Sequence, residues 1–139
     1  MPRRPRSVTW LALAVLLLSA ANFLRAARVF LGSEYLARLA LSVSPAYLGA
    51  SGLVWGAALG TAAIGLWGLR PWGRWLALGG VSLCHLQTWI NRLAFDTSTY
   101  ARQGWPWEVA MSVLGVGLTW GVLWWPGVGA RFKQNRSKG

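Results

Sequence analysis

Apolar residues fall into four long stretches along this chain, with short polar segments between them. The stretches cover about Val8 to Phe30, Pro45 to Leu69, Trp72 to Arg92 and Trp107 to Trp125. Each approaches the roughly 20 residues that an α-helix needs to cross the hydrocarbon layer of a membrane. The alternating apolar and polar pattern that builds a transmembrane barrel does not occur. We therefore predict an all-α bundle of four transmembrane helices.

Composition agrees with an integral membrane protein built as a single domain over residues 1–139. Apolar residues make up 55% of the chain and charged residues 12%. No charged residue lies between Arg38 and Arg70. A soluble domain of this size could not bury so much apolar surface, so the hydropathy pattern indicates insertion in a lipid bilayer.

The distribution of positive charge predicts how the helices are oriented. Lys and Arg accumulate on the cytoplasmic side of membrane proteins. If the N-terminus lies inside, nine of the fourteen Lys and Arg residues fall on the inner side: Arg3, Arg4, Arg6, Arg70, Arg74, Arg131, Lys133, Arg136 and Lys138. We therefore expect a multi-pass protein of a bacterial plasma (inner) membrane with both termini in the cytoplasm.

The net charge of +11 does not indicate a nucleic-acid partner. The basic residues cluster at the chain ends and in the turn near Arg70, and no soluble domain is predicted that could carry a recognition surface. The expected partner of these cations is the lipid bilayer, because anionic headgroups attract them.

A cleavable secretory signal is an alternative interpretation of the first stretch. Residues 1–21 have a basic start, an apolar centre and the small residues Ser19, Ala20 and Ala21. The helical pattern continues past this point through Arg28, which favours a retained span. The internal repeat also favours retention, because it pairs the first stretch with the third, which cannot be a signal.

Two segments of the chain recur 65 positions later. Trp10–Leu13 matches Trp75–Leu78, and Gly52–Gly56 matches Gly117–Gly121 with one difference. Each unit holds two spans, so both units insert the same way up, and such repeats are related by an axis along the membrane normal. We predict two tandem helical hairpins related by a pseudo-two-fold axis. The two repeats cover about 8–69 and 73–134.

Glycines spaced four apart predict close helix contacts in the second and fourth stretches. A ridge without side chains lets a neighbouring backbone approach and gain dispersion contacts that lipid does not supply. The candidate helix-packing residues are Gly52, Gly56, Gly60, Gly117 and Gly121. The neighbour could be a helix of the same chain, a second copy or another protein, so a homo-oligomer or a larger membrane complex is expected.

Polar side chains inside the first and third stretches form a candidate pocket. Such groups are costly in hydrocarbon unless they are partnered, so they should face each other or water. The candidate residues are Asn22, Arg25, His85, Thr88, Asn91, Arg92 and Asp96. We expect an outward-opening pocket where the hairpins meet, cationic at its mouth, with the imidazole of His85 at its floor. It would suit an anionic or polar headgroup, a quinone-like carbonyl or proton movement; a network that only fixes helix register is the structural alternative.

Few residues are arranged for other chemistry. The one cysteine, Cys84, excludes an intramolecular disulfide and faces away from His85, so no metal site is expected. No base and acid are placed to activate a serine, and all three acids lie near the outer ends of the spans. His85 could act as a single axial ligand for a haem or pigment. We expect no enzyme activity, no metal and no cofactor.

The segment Gly68–Trp75 resembles the short cytoplasmic turn of many small bacterial four-span membrane proteins. Its proline, Pro71, suits the first position of a helix, and its arginines obey the charge bias. The resemblance implies a turn on the cytoplasmic side and carries no particular function.

Three hypotheses for function follow from these patterns. The first is a small non-enzymatic membrane protein that acts by helix packing, as an accessory or structural subunit or a homo-oligomer. The second is a small transporter, channel or lipid- or anion-binding protein that uses the polar pocket. The third is a cofactor-binding electron-transfer subunit that uses His85.

Overall fold

The structure of the chain, a computed structural model, describes residues 5–32, 44–95 and 105–136. Within these ranges the chain forms five helices and no strand, so the prediction of an all-helical fold is confirmed. The helices are α1 (Arg6–Leu31), α2 (Pro45–Trp67), α3 (Pro71–Phe95), α4 (Trp105–Trp124) and α5 (Pro126–Arg136).

Proline and glycine set most of the helix limits. Pro45, Pro71 and Pro126 each begin a helix, where the fixed proline φ suits the helix and the missing N–H costs nothing. Gly32 and Gly68 follow the ends of α1 and α2, and each backbone N–H donates to a carbonyl four residues earlier, at 3.0 Å. The helix limits therefore lie close to the proline and glycine residues that act as start and stop signals in the sequence.

Three helices in the described ranges, α1, α2 and α4, are long and apolar enough to cross a membrane. This finding supports the prediction of a membrane protein. Helix α3 has 25 residues, but its polar residues, among them Arg74, His85, Asn91 and Arg92, make it less apolar than the others. Whether α3 crosses the bilayer as a fourth span stays a prediction.

Helix α2 packs most extensively on α1, through the ridge of glycines on its face. A methyl group added at Gly52 would lie 2.9 Å from the carbonyl oxygen of Asn22, and one at Gly56 would meet the Phe23 ring at the same distance. Gly60 lies opposite the hydroxyl of Ser19, which donates a 2.6 Å hydrogen bond to the carbonyl of Gly56. These contacts run in opposite chain directions, so α1 and α2 are antiparallel.

The next two pairs of neighbours are also antiparallel. Helices α2 and α3 come together at their shared turn, where the backbones of Gly65 and Gly73 touch. Helices α3 and α4 are joined by hydrogen bonds from the indole N–H groups of Trp89 and Trp120 to serine hydroxyls. The acceptors are Ser112 and Ser82, both at 3.1 Å. The contact between α1 and α4 is much smaller than any of these.

The apolar core lies toward the end of the molecule that holds residues 68–70, which we call the turn end. Its largest fully buried side chains are Phe132, Leu59, Leu66, Leu123 and Val8. Helix α5 reaches this core with Val128 and Phe132, so it folds back onto α3 and α4 rather than extending α4. We call the opposite end the far end. Helices α1 and α4 leave space between them that runs from the level of Arg25, toward the far end, to the level of Trp10, toward the turn end.

The four-residue glycine repeats of α2 and α4 have unlike surroundings. Gly52, Gly56 and Gly60 face α1, whereas a methyl group on Gly117 or Gly121 would meet no atom within 4 Å. The two predicted hairpins are therefore packed to different degrees, and the pseudo-two-fold relation between them stays a prediction.

Candidate functional site

Two adjoining cavities occupy the space between α1, α3 and α4. The first, of about 270 Å³, is the more polar of the two and lies toward the far end. Its polar lining consists of Asn22, Arg25, Cys84, His85, Thr88, Glu108 and Ser112. The second, of about 600 Å³, is lined almost entirely by apolar side chains and runs toward the turn end. We call the first the polar pocket and the second the apolar groove.

The two cavities share three lining residues, so they are two parts of one cleft. Leu18 on α1, His85 on α3 and Met111 on α4 line both. Beyond them, the groove continues along Trp10 and Ala14 on α1. On α3 and α4 it is lined by Val81, Leu114, Gly115, Leu118, Thr119 and Val122. The cleft is therefore amphipathic along its length, with the change from polar to apolar at the level of His85.

Helical spacing explains how each element contributes both kinds of lining. Residues four or three apart share one face of a helix. On α1 this face carries Leu18, Asn22 and Arg25 in order, and on α3 it carries Val81, then His85 and Thr88. The polar residues come later in both helices, so they lie at the same level of the molecule.

His85 has a defined proton arrangement. Its Nδ1 lies 2.9 Å from the carbonyl oxygen of Val81, one turn earlier in α3. A carbonyl can only accept, so Nδ1 carries the proton and donates. In the neutral ring Nε2 is then an acceptor. This atom faces Gly115 of α4, where an added methyl group would lie 3.4 Å away.

Neighbouring hydrogen bonds fix most of the other polar side chains of the pocket. The Asn22 amide donates to the Leu18 carbonyl at 2.9 Å and also contacts the Cys84 thiol. The Thr88 hydroxyl donates to the Cys84 carbonyl at 2.9 Å. Arg25 has an exposed side chain at the mouth of the pocket. The pocket therefore has a hydrogen-bonded polar wall and an exposed cation at its entrance.

An ion pair between Arg92 on α3 and Glu108 on α4 closes the far side of the pocket. Only 13% of the Arg92 side chain is exposed, against 43% for Glu108, so Arg92 is mostly buried while Glu108 reaches the pocket. Since this pair is neutral overall, Arg25 supplies the net positive charge of the pocket.

The structure brings together four of the seven predicted pocket residues: Asn22, Arg25, His85 and Thr88. Arg92 adjoins the pocket through Glu108 rather than lining it. Asn91 lies on another face of α3, where its side-chain oxygen accepts a 3.2 Å hydrogen bond from the Tyr47 hydroxyl. Asp96 lies outside the described residues.

Asn91 belongs to a separate polar network between α2 and α3. The Tyr47 hydroxyl accepts a 2.9 Å hydrogen bond from Gln87, whose side-chain oxygen in turn accepts from the indole of Trp55. These residues partner one another across the two helices. This network fits the structural alternative, in which polar residues inside the membrane only fix the register of neighbouring helices.

Sequence reasoning missed the contribution of α4 to the pocket. Glu108, Met111, Ser112 and Gly115 share one face of α4 by their spacing. Glu108 is one of only three acids in the chain, which is the signal that could have found it. The apolar groove carries no such signal, because its residues resemble any lipid-facing set.

The described residues contain no group of three or more His, Cys, Asp or Glu side chains placed to hold a metal ion. Comparison with known proteins finds no match to a family model, to a curated protein or to a solved structure.

Proposed function

We propose that this chain is an integral membrane protein that binds an amphiphilic molecule in the cleft between α1, α3 and α4. In this proposal the four long helices cross the bilayer as two tandem hairpins, and α5 lies at the cytoplasmic surface. The observation that carries the proposal is the continuity of the two cavities, one polar and one apolar, through the shared residues Leu18, His85 and Met111.

The polar pocket suits a headgroup with one negative charge. Arg25 can pair with a phosphodiester or carboxylate. Thr88 and Asn22 already donate to backbone carbonyls of their own helices, so Arg25 is the main donor to the headgroup. Charge-assisted hydrogen bonds are the stronger kind, and they gain further strength away from bulk water. The headgroup therefore supplies most of the binding free energy.

The apolar groove suits a hydrocarbon tail. Within a bilayer a tail gains little by leaving other tails, because lipid is as apolar as the groove. The groove therefore contributes shape rather than a hydrophobic driving force. Its volume of about 600 Å³ lies within the range of about 300–1,000 Å³ that is usual for small-molecule sites.

The proposed orientation places the polar pocket near the outer surface. The N-terminus of α1, the α2–α3 turn and α5 lie at the turn end, together with Arg6, Arg70, Arg74 and Arg131. The positive-inside rule puts such an end in the cytoplasm. A ligand would then enter from the outer leaflet with its headgroup outward, and its tail would follow the groove toward the cytoplasmic side, where Trp10 lies. Binding, carriage or presentation of the ligand, rather than catalysis, is the proposed activity.

A substitution that fills the groove tests the proposal. Ala14 lines the groove and is exposed, so Ala14→Trp should occupy the tail position without disturbing the core. Ala20 is also exposed on α1 and lines neither cavity, so Ala20→Trp is the matched control. Native mass spectrometry after extraction in a mild detergent should show a bound lipid on the wild type and on Ala20→Trp, and at least tenfold less on Ala14→Trp.

A second pair of matched variants tests the part of the site that would bind the headgroup. Arg25→Gln removes the pocket cation, whereas Arg28→Gln removes an exposed cation one turn later that lines neither cavity. Only Arg25→Gln should lower the occupancy by an anionic lipid. Equal occupancy in all of these variants would refute amphiphile binding in the cleft.

Helix packing in a homo-oligomer is a second candidate function. The observation that favours it is the open surface at Gly117 and Gly121 on α4, beside exposed apolar residues such as Leu114 and Leu118. Such a face suits a second copy of the chain. The same native mass spectra report copy number, and a dimer lost in Gly121→Leu but kept in Ala14→Trp would favour this alternative.

A further inference from the structure

His85 holds an unused acceptor where the polar pocket meets the apolar groove. Nδ1 donates to the Val81 carbonyl, which leaves Nε2 as the acceptor in the neutral ring. Within the described part of the chain, Nε2 has no hydrogen-bond partner, and it is not among the fully buried polar atoms that lack one. It is therefore open to a molecule in the cleft.

The surroundings of Nε2 favour a ligand with a hydrogen-bond donor where the polar pocket meets the apolar groove. The other two residues that line both cavities, Leu18 and Met111, offer no strong hydrogen-bonding side chain. Gly115 faces the ring and leaves the space from which a ligand group can approach. A polar atom left unpaired in an apolar site is costly, so a ligand that donates to Nε2 is favoured over one that does not.

Resting on the proposed function, we propose that the cleft selects a single-chain amphiphile that carries a hydroxyl donor between its headgroup and its tail, and that His85 is the specificity-determining residue. Lysophospholipids and phosphorylated sphingoid lipids share this chemistry. Diacyl phospholipids present only ester oxygens at that level, which accept and cannot donate.

The physical situation of a membrane site makes such a selection useful. Diacyl lipids surround the protein in large excess, and all of them have tails that fit an apolar groove. Specificity then requires a feature that the abundant lipids fail to satisfy. An acceptor placed at the head–tail boundary meets only acceptors on a diacyl lipid, so it disfavours them. The groove has the volume of a site for one drug-sized ligand. It therefore suits one hydrocarbon tail better than two.

A matched pair of ligands tests this inference directly. One is a lysophosphatidylcholine with a single hexadecyl chain; the other is the same molecule with its free glycerol hydroxyl converted to the methyl ether. Their affinities for the full-length protein in nanodiscs are compared by native mass spectrometry. The wild type should bind the hydroxyl lipid roughly fivefold more tightly, the effect of one neutral hydrogen bond.

Two variants identify the acceptor. His85→Leu removes it, and Gly115→Ala covers it with a methyl group at an ordinary contact distance of 3.4 Å, so this variant should fold normally. In both, the affinity ratio of the two lipids should fall to about one. Gly117→Ala, on the same helix but in open space, should keep the wild-type ratio.

The outcomes separate the two proposals. If the wild type binds both lipids equally, and Ala14→Trp weakens both, the selection by His85 is overturned while amphiphile binding stands. If Ala14→Trp changes neither affinity, amphiphile binding in the cleft is itself refuted. A wild-type preference that survives in Gly115→Ala and His85→Leu would assign the selection to another residue and overturn the role of His85.

Discussion

Leu69 is the one non-glycine residue with a positive φ in the described ranges, at 51°. It forms the turn between α2 and α3, and its side chain is buried in the core at the turn end. A left-handed backbone costs an L-residue about 1–2 kcal/mol. The apolar contacts of the side chain therefore offset a strained backbone at this position.

Two substitutions at Leu69 separate backbone from side chain. Leu69→Ala and Leu69→Gly both lose the core contacts, but only glycine relieves the backbone. We expect the glycine variant to be about 1 kcal/mol more stable than the alanine variant. Unfolding by sodium dodecyl sulfate in mixed micelles, followed by tryptophan fluorescence, measures the difference.

Leu66 supplies the control for this comparison. It is fully buried in the last turns of α2, with ordinary helical geometry. There the order should reverse, because alanine is favoured over glycine in a helix by about 1 kcal/mol. The same order at both positions would show that the turn stores no backbone strain.

At the level of single residues, sequence reasoning named four of the seven polar residues that line the pocket. Helical spacing and equal depth predicted that Asn22, Arg25, His85 and Thr88 lie together, and they do. The spacing could not separate Asn91 from this set, because a broad polar face on α3 serves two neighbours. Which part of that face meets α2 depends on the rotation of α3, and side-chain packing sets that rotation.

At the level of helices, glycines decide which pairs come close. The backbones of Gly65 and Gly73 touch at the α2–α3 turn, and a methyl group on Gly73 would clash with the Gly65 carbonyl carbon. No side-chain movement can relieve a clash with a backbone atom. The two helix ends must separate if either glycine gains a side chain.

Alanine substitutions test this difference between glycines. Gly73→Ala should lower the free energy of unfolding by about 1–3 kcal/mol, the usual cost of overpacking. Gly117→Ala, in open space on α4, should leave it unchanged or raise it, because alanine is the better helix former. The free energy of unfolding is measured as for the Leu69 variants, by sodium dodecyl sulfate in mixed micelles with tryptophan fluorescence. An equal loss in both variants would contradict the close approach of α2 and α3.

The apolar stretches predicted the four long helices within a few residues of their limits. Helix α5 was not predicted as a separate element. Its sequence has no apolar period, since only Val128 and Phe132 reach the core. Pro126 is the local signal, because it ends α4 and suits the first position of a new helix. Helix α5 turns back onto α3 and α4 because of tertiary packing, and no local sequence signal predicts this turn.

At the level of the whole molecule, unequal packing creates the cleft. Helix α1 lies against the glycine face of α2 along most of its length, whereas its contact with α4 is much smaller. A strict two-fold arrangement of hairpins would make the α1–α4 contact equivalent to the α2–α3 contact, which is much more extensive. The repeat in the sequence predicts which residues correspond, but it cannot predict tilt. Phe23 and Ala26 fill the α1–α2 contact, and no described side chain does the same between α1 and α4.

The occupancy of this cleft is the central claim, and photo-crosslinking measures it most directly. A lysophospholipid with a diazirine at the middle of its chain is irradiated with the protein in nanodiscs, and its adducts are located by peptide mass spectrometry. The claim predicts adducts at groove residues such as Trp10, Ala14 and Leu118, lost in Ala14→Trp and displaced by unlabelled lysophospholipid. Adducts spread over exposed outer positions such as Leu53, Ile64 and Val113, without displacement, would contradict it.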